Sequence, residues 1–283
     1  MKQNKQPLYV LKKLSALVYL EMTSSSRFTP VDIAPWANLA ILALLTKIEA
    51  GGSPEKASEN DYLMKCKHYV YFWTELIKQH LQGIMRIIIT ARTELASVYA
   101  NIMNRLVNIL ALISKNPSNP NFNQYTFESI SALIRFIVPA APGALQAFET
   151  GLLGPMSFIL REDIDRKLSS LHQIRLSFWS SEFVPYTFQI LSQLLELNSG
   201  PIPSFYSDFL SQILVPQPWA QKGSVPGLVR FIRGFLDKGA NVLVQDKQFE
   251  VVLGIIQQRL IPSKLQDGWA FDLLQGVVYN VDA

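Results

Sequence analysis

Apolar residues recur along this chain at helical rather than strand spacing, and the pattern restarts about every forty residues from the Pro30 region to the carboxyl end. Helical spacing opens near Pro30, Glu59, Ser97, Asn123, Pro142, Glu182, Pro203, Ser224, Asp246 and Gln266, each time just after a cluster of Pro, Gly, Asn, Ser or Asp. Phe127, Ile130, Leu133, Ile134 and Ile137 follow i, i+3, i+4 spacing, as do Val184, Phe188, Leu191, Leu194 and Leu195. Each set forms one apolar stripe on a helix, which is stable only when another element covers it. No segment alternates over a strand's length between hairpin dipeptides, and Asp267-Gly268 stands between two helical patterns. The pattern predicts an all-α chain of stacked helix pairs, an architecture that binds through its surface rather than reacts in a cleft.

Alternate helices form two series of starts, at residues 97, 143, 204 and 246 and at residues 123, 183, 224 and 268. One step in each series is about sixty residues long, whereas helical repeats of this kind recur every 40 to 47 or so. The excess places extra residues near 165–181.

Composition narrows the picture. The 283 residues are enough for a substantial core, 49% of them are hydrophobic, and the mean hydropathy is +0.16. No apolar run reaches the eighteen or so residues of a membrane span; Lys47 and Glu49 close the longest candidate, Ile33 to Ile48. The amino terminus carries basic residues and then Leu14 to Leu20 without a small-residue cleavage site, so no signal peptide is expected. The net charge of +4 is mild and dispersed, Lys12 and Lys13 being the densest pair; neither a nucleic-acid nor a membrane partner is expected. The single cysteine, Cys66, excludes an internal disulfide framework and fits a reducing compartment.

Catalytic chemistry finds little support. Cys66, His68 and His80 lack a fourth metal ligand at useful spacing, and a Cys-His nucleophile pair lacks a third, orienting group. Gly51-Gly52-Ser53-Pro54 is followed by no Gly-Lys-Ser/Thr and reads as an inter-helix turn. Glu162, Asp163 and Asp165 close a helical pattern, where a solvated turn is expected. No catalytic, cofactor-binding or metal-binding residue is therefore assigned, and no cofactor is expected. Asn116, Pro117, Asn119, Pro120, Asn121 and Asn123 make a rigid polar turn that caps a helix opening near Asn123.

Three arginines are the candidates for partner contact. Arg230 and Arg233 stand three apart, which puts both guanidinium groups on one helix face while Val229, Ile232 and Leu236 take another. The planar fork of arginine suits two-point carboxylate recognition, either on a partner or on an adjacent repeat. Arg135 reads the same way.

The residues also carry a family resemblance. Phe28-Thr-Pro-Val-Asp-Ile-Ala-Pro35, Glu59-Asn-Asp-Tyr-Leu-Met-Lys65, Ser114-Lys-Asn-Pro-Ser-Asn-Pro-Asn-Phe-Asn-Gln-Tyr125 with Phe127 and Glu128, Glu182-Phe-Val-Pro-Tyr-Thr-Phe-Gln189 and Val225-Pro-Gly-Leu-Val-Arg-Phe-Ile232 occur in that order. Together they resemble the middle of the importin-α export receptors, the cellular apoptosis susceptibility family of the importin-β superfamily. The resemblance covers residues 27–283 and leaves 1–26 as an unassigned amino-terminal segment. It implies a HEAT-repeat superhelix, an armadillo-like helical solenoid, forming the central block of an exportin. It also implies Ran-GTP and importin-α cargo as partners, nuclear pore proteins as further ones, and shuttling between nucleus and cytoplasm through the nuclear pore, with the nuclear envelope as a further location. The GTPase chemistry would belong to Ran.

Two segments do not resemble that family: 67–83 and 166–181. The second lies where the period fails. Cys66-Lys67 and Arg166-Lys167 have codons that can contain the usual start of an intron, and both segments can end in AG, so each reads as a translated intron in a conceptual gene model. Without the second, one series becomes 123, 167, 208 and 252, a near-constant step. Real inter-helix insertions are the alternative, since added loop length costs little. All three histidines, His68, His80 and His172, fall in these segments. For the chain as a whole, the rival readings are a HEAT scaffold that assembles a complex without transport, and a truncated, non-functional gene model.

Overall fold

The computed structural model describes residues 29–50, 81–115, 120–168, 183–245 and 247–281. Among these there are ten α-helical segments and no strand. They are α1 (Pro30–Ala50), α2 (81–91), α3 (Tyr99–Lys115), α4 (Pro120–Ala140), α5 (Ala144–Leu168), α6 (Phe183–Leu197), α7 (Ser204–Ile213), α8 (Val225–Gln245), α9 (Gln248–Ile255) and α10 (Asp267–Asn280). The starts at 99, 144, 204 and 248 and at 120, 183, 225 and 267 reproduce the two series read from the apolar pattern. Both predicted stripes, on α4 and on α6, are buried along their whole length.

The chain divides into two compact units, residues 1–155 and 156–283, with the boundary at Pro155 inside α5. In the first unit the odd-numbered helices are neighbours. Arg105 of α3 donates from Nη1 to the Leu42 carbonyl of α1 at 3.1 Å and from Nη2 to Thr46 Oγ1 at 3.0 Å. Tyr99 of α3 stacks on Phe148 of α5 with centroids 5.7 Å apart. α2 ends in a 3-10 turn, Arg92–Leu95, against which α1 and α4 both pack.

In the second unit the even-numbered helices form a row in which α8 packs on α6 and on α10, their starts 42 residues apart each time. Phe231 of α8 sits at its centre, with ring centroids 5.4 Å from Phe188 of α6, 6.2 Å from Tyr206 of α7 and 5.3 Å from Phe235. Between α7 and α8, buried Trp219 donates its Nε1 hydrogen to the Ile213 carbonyl at 2.7 Å, which satisfies the one polar atom of its ring.

The structure departs from the sequence reading at several points. The helix expected to open near Asn123 opens three residues earlier, at Pro120, and residues 116–119 of the expected capping turn lie outside the described residues; proline suits the first helical position, where a backbone N–H has no partner to lose. Asn123 is instead buried in the first turn, its Nδ2 unbonded. Glu162, Asp163 and Asp165 fall within α5 rather than in a turn. α8 bends at Gly239, where φ is −159° and ψ is 45°, and α9 runs on into a wider π turn, Ile256–Leu260. Neither feature interrupts the apolar spacing, so periodicity alone leaves no trace of them.

Candidate partner-binding surface

Arg230 and Arg233 leave the middle of α8, where Val229, Ile232 and Leu236 are buried beneath them. Three residues of helix separate two side chains by about 60° around the axis. On a helix flanked on both sides, that is enough to send them to opposite neighbours, so the face they share opposite Val229, Ile232 and Leu236 does not give them a shared partner. Arg230 turns to α6 and donates from Nε and Nη2 to the two carboxylate oxygens of Glu196, each at 2.6 Å. The bond to Glu196 holds the guanidinium above its ordinary pKa, against an opposing effect of burial.

Arg233 turns to α10. Its Nη1 donates to the Asp272 carbonyl at 2.7 Å and to Asp272 Oδ1 at 3.3 Å, while Nε donates to Asp237 Oδ1 at 3.0 Å on its own helix. Asn280 of α10 donates from Nδ2 to the same Asp237 oxygen at 2.9 Å. The close approach depends on Gly276, where a Cβ would stand 2.7 Å from Arg233 Cδ and 2.9 Å from Nε. Both arginines thus link neighbouring helices of the even row.

Arg135 belongs to the first unit and is exposed on α4. Among the described residues it has no carboxylate within ion-pair distance; its guanidinium carbon lies 5.9 Å from the centroid of Phe136. From the 3-10 turn after α2, the exposed Arg92 reaches the same ring, at 5.8 Å. Arg92 holds a φ of 50°, a left-handed conformation that costs a residue with a Cβ about 1 kcal/mol or more. Sequence reasoning missed Arg92 and Phe136. A positive φ is signalled in sequence by Gly or Asn, and here neither marks it; the pause in helical spacing between Ala91 and Ser97 was the one available hint.

Cys66, His68, His80 and His172, the Gly51–Pro54 turn and most of both suspected insertions lie outside the described residues. At the described end of the first insertion, Leu81 is buried. Among the described residues no three His, Cys, Asp or Glu side chains gather as metal ligands, and no helix is long and apolar enough to cross a membrane.

Residues 16–283 match the family model described as CAS/CSE protein, C-terminus, a match that begins upstream of Arg27. The chain belongs to the CAS/CSE family. It is 36% identical over 258 residues to the importin-alpha re-exporter of Schizosaccharomyces pombe, an alignment covering 90% of this chain and 23% of that protein. It is 31% identical over 262 residues to Exportin-2 of Danio rerio, covering 92% of this chain and 23% of that protein, and 31% identical over 260 residues to Exportin-2 of Homo sapiens. This CAS/CSE chain therefore spans about a quarter of the length of the curated relatives it matches. In three dimensions it resembles the exportin Cse1 in its cargo-free, cytoplasmic state, with a TM-score of 0.60 and 24% identity over 90% of this chain and 27% of that one. The fold is accordingly that of a HEAT-repeat α-helical solenoid.

Proposed function

We propose that this chain is a block of a nuclear export receptor which, in the whole protein, holds Ran-GTP together with importin-α in the nucleus and releases both in the cytoplasm. The observation that supports this most directly is the similarity to an importin-alpha re-exporter along 90% of the chain, because it extends through both units. The mechanism is surface complementarity without catalysis. Small rotations at successive repeat interfaces accumulate along a solenoid, so ligands at distant repeats can influence one another, and nucleotide hydrolysis on Ran can release the cargo. Arg135, Arg230 and Arg233 are proposed partner contacts, Arg230 and Arg233 acting through the inter-helix pairs they already make. Nuclear pore proteins are proposed as transient partners during shuttling.

A chimera tests the proposal. This chain would replace the matching segment of the fission-yeast re-exporter, and the purified chimera would be offered importin-α with Ran locked in the GTP or the GDP state. Retention of importin-α with the GTP form alone is the expected result. A folded chimera that retains importin-α equally in both states, or retains none, would overturn the transport reading and favour a scaffold that assembles a complex without transport.

A further inference from the structure

We propose that Arg92, Phe136 and Arg135 form a docking point for an acidic segment of a partner protein, with an apolar side chain of that segment on the Phe136 ring and carboxylates on the two guanidinium groups. Three observations converge on this cluster. The guanidinium carbons lie 5.8 and 5.9 Å from one ring centroid although they come from different elements, the turn after α2 and the outer face of α4. Both groups are positively charged, and neither forms an ion pair among the described residues, in contrast to Arg230 and Arg233. Arg92 also sits at a φ of 50° that glycine would occupy without strain, so the conformation presenting it opposes local backbone preference.

The surroundings favour a protein over a nucleic acid. Glu94 is exposed two residues beyond Arg92, Glu128 lies two turns before Arg135 on α4 and accepts from Gln124 Nε2 at 2.8 Å, and Arg86 is exposed on α2. A phosphate backbone, charged at every residue, would meet the two glutamates as well as the arginines and needs a basic stripe instead. A peptide with two carboxylates around an apolar side chain matches two cations around a ring. The ring supplies apolar area, and each guanidinium can offer a two-point hydrogen bond.

The test is fluorescence anisotropy of a fluorescein-labelled peptide of alternating glutamate and leucine, titrated with the full chain at low salt beside a glutamine-for-glutamate control. The acidic peptide should bind and the control should not, and Arg135→Ala should weaken binding by about tenfold. Arg92→Gly should weaken it by a similar factor while raising the melting temperature, because glycine relieves the strained φ; a purely structural arginine would not separate those two readouts. Arg259→Ala, at an exposed arginine of the second unit, should leave peptide binding unchanged. The proposal is overturned if the chain does not bind the acidic peptide, if Arg92→Gly or Arg135→Ala binds as well as the unaltered chain, or if Arg259→Ala loses as much. It is equally overturned if a single-stranded oligonucleotide of the same charge binds more tightly with the same dependence on Arg92 and Arg135. Neither Ran nor importin-α enters this assay, so its outcome is independent of the transport proposal.

Discussion

Arg230 and Glu196 face each other across α8 and α6 through two parallel hydrogen bonds of 2.6 Å, a geometry that fixes the guanidinium plane as well as its position. Both side chains remain nearly half exposed, at 45% and 41%, so water and salt screen the pair. A double-mutant cycle of Arg230→Ala and Glu196→Ala should give a coupling of about 0.5–1 kcal/mol at low ionic strength, shrinking as salt is added. Chemical denaturation at two salt concentrations measures it; a coupling that ignores salt would contradict the screened geometry.

Gly276 sets how near α10 approaches Arg233. Gly276→Ala places a methyl group against Arg233 Cδ and should cost about 1–3 kcal/mol, partly through the bonds to Asp272 that a displaced guanidinium gives up. In an Arg233→Ala background the same change should cost less by at least 0.5 kcal/mol or so, since the obstructing side chain is gone. Equal costs in the two backgrounds would show that the approach is limited elsewhere.

Phe231 is fully buried and in ring contact with residues of α6, α7 and α8 itself. Phe231→Ala should destabilise the chain by about 3–5 kcal/mol, the loss of transfer free energy plus an unfilled cavity, whereas Phe231→Leu should cost well under half of that. Thermal unfolding followed by circular dichroism distinguishes the two.

Thr29 and Asp32 close the start of α1 reciprocally. The Thr29 N–H and hydroxyl donate to Asp32 Oδ2 at 2.8 and 2.6 Å, and the Asp32 N–H donates to Thr29 Oγ1 at 3.4 Å. The hydroxyl bond, then the backbone bond, holds the Asp32 carboxyl below its ordinary pKa. A carboxyl whose pKa is lower folded than unfolded adds stability above the unfolded value and loses it as pH falls through the folded one. Nuclear magnetic resonance titration should therefore show Asp32 protonating at lower pH than an unpaired aspartate, and Thr29→Val should move it upward. A titration unaffected by that substitution would dismiss the cap as its cause.

Amplifying the transcript across the codons for Cys66 to Ile84 and for Arg166 to Glu182 should yield a message shorter by seventeen and sixteen codons, the lengths of 67–83 and 166–181. A mature message retaining both segments would establish them as insertions between helices, and buried Leu81 would then be part of a genuine core contact.

Helix positions were legible because apolar periodicity is a property of consecutive residues. Phe127 to Ile137 and Val184 to Leu195 could be assigned to the core before any neighbour was known, since a stripe that wide must be covered by something. The candidate surface was legible only in part. Arg135, Arg230 and Arg233 stood out as arginines on helices, but their different circumstances did not, and Arg92 with Phe136 did not stand out at all.

From the chain of residues alone come the all-α class, the two interleaved series of helix starts, the core stripes and the family resemblance. All of these depend on spacing and residue type within a few turns. The folded arrangement decided that Arg230 pairs with α6 and Arg233 with α10, partners 34 and 39 residues away, and that Arg92 and Arg135 meet at one ring. Those outcomes depend on the rotation and separation of packed helices, where about 60° of azimuth changes a side chain's neighbour, and local periodicity carries no information about that angle.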